Sequence, residues 1–220
     1  MIQDLSSVIK IPMTRRNNAY TTSKNIAYSL QYIQYLQKQL DSICLTDVLN
    51  KMVCKNYIIT AMSIIEAIFA YLVKKSNNWK TSEWKSIHKN KLENQKEVDI
   101  GSKTLKIVTE VFEKVEPYDI EVQFDAIIDK IKSKKLIVFE SNKFFDIIKK
   151  FKALRNKIHL HITQDATDYK LFDKPLQIKM KYILQSILKN RAVCSNSTKA
   201  NEVYTFLNLT TEEKELVGIK

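Results

Sequence analysis

Tyr57-Ile-Ile-Thr-Ala-Met-Ser-Ile-Ile-Glu-Ala-Ile-Phe-Ala-Tyr-Leu-Val73 is the most apolar stretch of the chain. Thr60, Ser63 and Glu66 interrupt it, so it reads as a buried core helix and not as a membrane span. It is the second half of a helical run from about Asp47 to Lys74, apolar nearly all round. Such a helix belongs at the centre of a bundle. Lys75-Ser76-Asn77-Asn78 ends it.

The rest of the composition agrees with a bundle. The chain has 220 residues, 45% hydrophobic and 27% charged, an ordinary globular balance with enough length to bury a core. Only 2 Gly and 3 Pro are present. A β-sandwich or barrel needs turn residues far more often. With Gly101 and Gly218 alone, no Gly-rich phosphate loop can be written. The expected fold is all-α, about five to seven helices around the long apolar one. We read residues 1–220 as one domain, with an irregular arm over 1–20 and a C-terminal tail over 191–220.

Net charge is +12, which favours a polyanionic partner and speaks to association, not fold. Of the cations, 32 are Lys and only Arg15, Arg16, Arg155 and Arg191 are Arg. Abundant Lys, Asn and Ile is also what an AT-rich genome produces, so the charge alone is a weak nucleic-acid signal. Cys44, Cys54 and Cys194 form no CxxC and read as thiols in a reducing compartment. No secretory signal is evident at the N-terminus, so the expected location is cytoplasmic, with no membrane partner.

Outward from the apolar helix, Thr21-Thr22-Ser23 offers an N-cap to a helix carrying Ile26, Leu30, Ile33, Leu36 and Leu40. Residues 79–100 are polar, with Trp79, Trp84 and Ile87 as anchors, and read as loop with a short helix. Leu105, Val108, Val111, Phe112 and Val115 read as a helix stopped by Pro117. Val122 to Lys134 reads as another, and Leu136-Ile137-Val138-Phe139 as a strand-like connection. Ser141 reads as the N-cap of a helix bearing Phe144, Ile147, Ile148, Phe151, Leu154 and Ile158. Pro175 opens a final helix to about Lys189. Within the tail, residues 203–207 read as a short packed segment.

The chemistry concentrates in Phe151-Lys-Ala-Leu-Arg-Asn-Lys-Ile-His-Leu-His161. Ile148, Phe151, Lys152, Arg155 and His159 are three or four residues apart and share one helix edge. His161 joins them if the helix widens or ends near Ile158. Asn156 is placed to orient Arg155 or a phosphate. A His can move the proton of a ribose 2′-hydroxyl near neutrality, and an Arg can hold the phosphate bidentately. No metal or cofactor is required, and no grouping here has metal-ligand spacing. Equally, a cationic cluster at a helix C-terminus complements the helix dipole without any catalysis.

Leu154-Arg155-Asn156-Lys157-Ile158-His159-Leu160-His161, closing an amphipathic helix, resembles the signature of the HEPN superfamily (higher eukaryotes and prokaryotes nucleotide-binding domains). That signature is Arg, usually followed by a polar residue such as Asn, with four to six residues between the Arg and the His. Arg155 and His161 have five residues between them, His159 has three, and the commonest spacing of four lands on Leu160. Which His acts is therefore open. The resemblance implies a metal-independent endoribonuclease. It also implies a homodimer whose two Arg/His pairs build one composite site. Family members act in toxin–antitoxin and phage-defence systems, which implies an antitoxin or regulatory protein as a further partner. Thr163 stands where nucleotide-modified members carry Tyr, so that form of regulation is not expected.

Glu66 needs a partner if buried, and Arg155 is the expected one; a solvent-facing or Lys-paired Glu66 is the alternative. Lys130, Lys132, Lys134 and Lys135 form one basic run, and Lys149, Lys150, Lys152 and Lys157 another. Each reads as a solvated helix face or as one wall of an RNA groove. Tyr28, Tyr32 and Tyr35 read as core or dimer packing in preference to base stacking, and His88 as a surface residue. A non-catalytic RNA-binding or protein-interaction module and a purely structural protein are the rival readings.

Overall fold

The computed structural model describes residues 9, 19–90, 97–100, 103–106, 109–139, 143–156 and 167–218, with side chains over 88–109 and at 168 and 217 outside that description. It divides into two compact units: 78–123, and the remainder of the chain on either side of it. The single domain read from the sequence thus has a separate unit set within it.

The larger unit is helical. α1 spans Ala19–Ser42 and α2 Asp47–Lys75. After the inserted unit come α3 (Phe124–Ser133), α4 (Lys143–Arg155), α5 (Asp168–Leu171), α6 (Lys174–Leu188), α7 (Ser197–Val203), a 3₁₀ turn (Thr205–Leu207) and α8 (Thr211–Val217). α2 packs against α1, α3, α4, α5 and α6. Its Tyr57, Ile58, Ala61, Ile65, Phe69 and Val73 are fully buried. By length and apolarity α2 could cross a membrane, but half of its most apolar stretch is covered by these neighbours. Asp47 in its first turn and Lys74 and Lys75 in its last complement the helix dipole, and Asn77 then turns out of the helix with a positive φ.

Several boundaries shift. α1 is already helical at Ala19, so Thr21-Thr22-Ser23 lies inside its first turns and not at a cap, and Ser23 is buried. Within the expected N-terminal arm, Ile9 is buried and bridges Cys194 antiparallel. The expected C-terminal tail is folded: Ala200, Tyr204 and Leu207 are buried, in agreement with a packed segment near 203–207. Residues 136–139 form no strand; Ile137 is buried and Phe139 stacks on Phe144 at 4.0 Å. Ser141, read as an N-cap, lies outside the described residues. Pro175 does sit in the first turn of α6, whose N-cap Asp173 accepts a hydrogen bond from the Leu176 N–H at 2.9 Å.

The unit over 78–123 is where an all-α reading fails. β1 (Thr81–Asn90) pairs antiparallel with β4 (Thr109–Asp119), and β2 (Glu97–Ile100) with β3 (Lys103–Lys106). Where a short helix in 79–100 and a helix over Leu105–Val115 were expected, the described residues 81–90, 97–100, 103–106 and 109–115 are strands. The apolar spacing there fits a helix, but the residues filling it are β-branched and aromatic, which suit a pleated ribbon. Pro117 does not stop a helix. It lies in a bulge between the pairs Ser82↔Tyr118 and Trp84↔Lys114, where a missing N–H breaks no ladder bond. The ribbon's base is closed by the Trp79 indole N–H donating to the Ile120 carbonyl at 3.1 Å.

Candidate functional site

α4 carries the motif. Phe145, Ile148 and Phe151 are its buried face, which packs on α2. Arg155 follows Phe151 by one helical turn, so anchoring the phenyl ring aims the guanidinium along the same edge. α4 ends at Arg155, earlier than the expected Ile158, and Asn156 continues as an exposed 3₁₀ residue. His159, His161 and Lys157 lie outside the described residues.

Glu66 comes from α2, set between the buried Met62, Ile65 and Phe69. Its Oε2 lies 2.9 Å from Nη1 of Arg155, so the partner expected for Glu66 is the one it has. The two side chains are 30% and 35% exposed, which leaves the pair reachable from solvent. An ion pair so screened contributes on the order of 1 kcal/mol or less. Its larger effect is positional. A guanidinium has five N–H donors in a rigid fork, more than one carboxylate can engage, so an arginine held this way still presents donors to a second anion.

The lysines beside it are less available than the sequence suggests. Lys149 Nζ is 2.8 Å from Asp129, and Lys152 Nζ is 2.5 Å from Asp125, both acids of α3. The hydrogen bond to Asp129 raises the Lys149 pKa. A phosphate that recruits either lysine must first break its ion pair. Lys150 is exposed. Asp125 and Asp129, one turn apart on α3, were missed as site neighbours. Their pairing with α4 depends on how two helices pack, which no local spacing reveals. Of the other basic run, Lys132, Lys134 and Lys135 are exposed and Lys130 is half-buried.

The remaining aromatic residues resolve differently. Tyr28, Tyr32 and Tyr35 are on the surface of α1 at 54%, 43% and 54% exposure, so the core reading of them is corrected. Trp84 is exposed on the β1–β4 ribbon, while Trp79 is half-buried at its base. The side chain of His88 lies outside the described residues. Among the described residues, no group of three or more His, Cys, Asp or Glu is arranged to hold a metal ion. No protein-family model matches the chain, and no curated protein or solved structure matches it significantly.

Proposed function

We propose that this chain is a metal-independent endoribonuclease of HEPN type, a helical bundle with α2 as its central helix. Two copies would form a composite site, in a toxin–antitoxin or phage-defence setting within the cytoplasm. The observation that carries the reading is the Glu66–Arg155 pair, which fixes a guanidinium at the motif's position while leaving it open to solvent.

The chemistry follows from the residue types. A ribose 2′-oxygen attacks the adjacent phosphorus, and His159 or His161 takes its proton. Arg155 neutralises charge as it builds on the phosphoryl oxygens. The bond to the 5′-oxygen breaks, that oxygen gains a proton, and the products are a 2′,3′-cyclic phosphate and a 5′-hydroxyl. Asn156 would orient the phosphate, and Lys150 and Lys157 would bind the strand. Lys149 and Lys152 would contribute after giving up their α3 carboxylates.

The test is purified protein with labelled RNA in EDTA, beside Arg155→Ala, His159→Ala and His161→Ala. Cyclic-phosphate ends from the parent, lost in Arg155→Ala and in one His variant, support the reading. Binding without cleavage favours a non-catalytic RNA module instead. Cleavage that survives Arg155→Ala refutes the site.

A further inference from the structure

The positive charge is not spread over the whole molecule. Between 78 and 123, eight Lys face nine Asp and Glu, a net charge of −1. The helical unit therefore carries +13, the entire excess. The long-range attraction for a polyanion therefore comes from the larger unit and not from the ribbon.

On that unit, α1 has an unusual outer face. Tyr28, Tyr32 and Tyr35 follow one another at four and three residues, three rings within about 10 Å of helix axis. Each is exposed, and Tyr32 and Tyr35 lie nearly parallel, 19° apart, with centroids at 6.3 Å. Gln39 donates to the Tyr35 hydroxyl at 2.6 Å, holding that ring in place. One turn before Tyr28, Lys24 lies over the Tyr20 ring at 5.7 Å. From 19 to 40 the helix has Lys24 and Lys38 and no acidic residue.

Every large apolar side chain that α1 exposes is a tyrosine; its aliphatic residues are all turned inward or half-buried. Protein interfaces also gather tyrosine, so the rings alone do not choose the partner; the charge does, since Lys24 and Lys38 stand among them with no carboxylate from 19 to 40. Hydroxylated rings, amides and cations without carboxylates are the constitution of a single-strand nucleic-acid platform, where bases stack on rings and the backbone meets Lys. We propose that the Tyr28–Tyr32–Tyr35 face of α1 binds single-stranded RNA by base stacking. This rests on RNA being the partner read above, but not on cleavage.

The test uses the full chain carrying Arg155→Ala, so that no turnover intervenes, and a fluorescein-labelled 15-nucleotide oligouridylate in EDTA. Anisotropy gives its affinity. Tyr28→Leu/Tyr32→Leu/Tyr35→Leu together should weaken binding about tenfold or more, and the matching triple Phe variant should stay within about twofold of the parent, because stacking survives loss of the hydroxyl. Crosslinking of a 4-thiouridine oligonucleotide to the Arg155→Ala chain with its tyrosines intact, mapped by peptide mass spectrometry, should include peptides of α1. Unchanged affinity in the Leu variant, no crosslink within α1, or no binding by the parent overturns the proposal. So does a Leu variant that turns a dimer into a monomer, by light scattering, with RNA affinity intact. A chain that binds through the tyrosines but never cleaves RNA removes the nuclease reading alone.

Discussion

Oε2 of Glu66, on α2, lies 2.9 Å from Nη1 of Arg155 at the last turn of α4. Both residues are set beside buried apolar neighbours, Phe69 and Phe151, so the ion pair inherits its geometry from the core. Glu66→Ala should therefore change stability by about 1 kcal/mol or less in urea melts, since the pair is solvent-screened. Its effect on cleavage should be larger, a fall in kcat of about 10- to 100-fold as the guanidinium loses its orientation. Glu66→Gln should fall between the two. Equal loss of stability and activity would make Glu66 a structural residue only.

The paired and unpaired lysines of α4 should separate by salt dependence. Each phosphate contact contributes about −0.7 to the slope of log affinity against log salt for a single strand. Lys150→Ala should flatten the slope by nearly that amount. Lys149→Ala and Lys152→Ala should flatten it less, because each frees an Asp of α3 that then repels the strand. Anisotropy titrations from 50 to 200 mM salt, roughly the range over which such slopes are read, decide it.

Lys181 of α6 and Glu213 of α8 form a buried ion pair, 2.9 Å apart with side chains 4% and 12% exposed. Thr210 and Glu213 also make the capping box that starts α8. Lys181→Met leaves the Glu213 carboxylate buried beside an apolar chain, which should destabilise by about 3 kcal/mol. Lys181→Met with Glu213→Leu should recover most of this, apart from the lost cap. Limited proteolysis should find α8 cleaved in the single variant and protected in the double.

Thiol chemistry should follow burial. Cys44 is exposed, while Cys54 and Cys194 are buried. A disulfide reagent at neutral pH should titrate one thiol in the folded protein and three after denaturation. Burial pushes the Cys54 thiol up from 9.0 to about 11, so the folded protein holds that proton after the unfolded chain has lost it. Stability should thus be flat below about pH 9 and decline from there through about pH 11. Tyr57 and Tyr204, raised by burial from 10.0, add to the loss at the upper end. A Tm that rises across this interval would contradict the burial of these groups.

Much of the helical unit could be read from periodicity. The runs over 47–74, 122–134 and 144–158 match α2, α3 and α4 to within a few residues, because each buries a stripe that recurs every turn. Glu66 as the partner of Arg155 was legible for a different reason. A carboxylate flanked by Ile65, Phe69 and Met62 needs a partner if it is buried, and Arg155 was one of the readings, beside a solvent-facing or Lys-paired Glu66. The ribbon was not legible. Val108, Val111, Phe112 and Val115 fall at helical spacing by coincidence, and only β-branched composition argued otherwise.

By itself the amino-acid sequence determined what is local or compositional: helices where apolar residues recur each turn, no Gly-rich loop, a basic excess, and one Arg-Asn segment at a helix end. Tertiary structure alone decided how the lysines of α4 pair. It paired Lys149 and Lys152 with Asp129 and Asp125 from another helix, leaving fewer lysines for a polyanion than the sequence counts. It also turned Tyr28, Tyr32 and Tyr35 outward. A helix buries only as much of its surface as its neighbours cover, and tyrosine, apolar in body and polar at its tip, is stable on either side of that boundary.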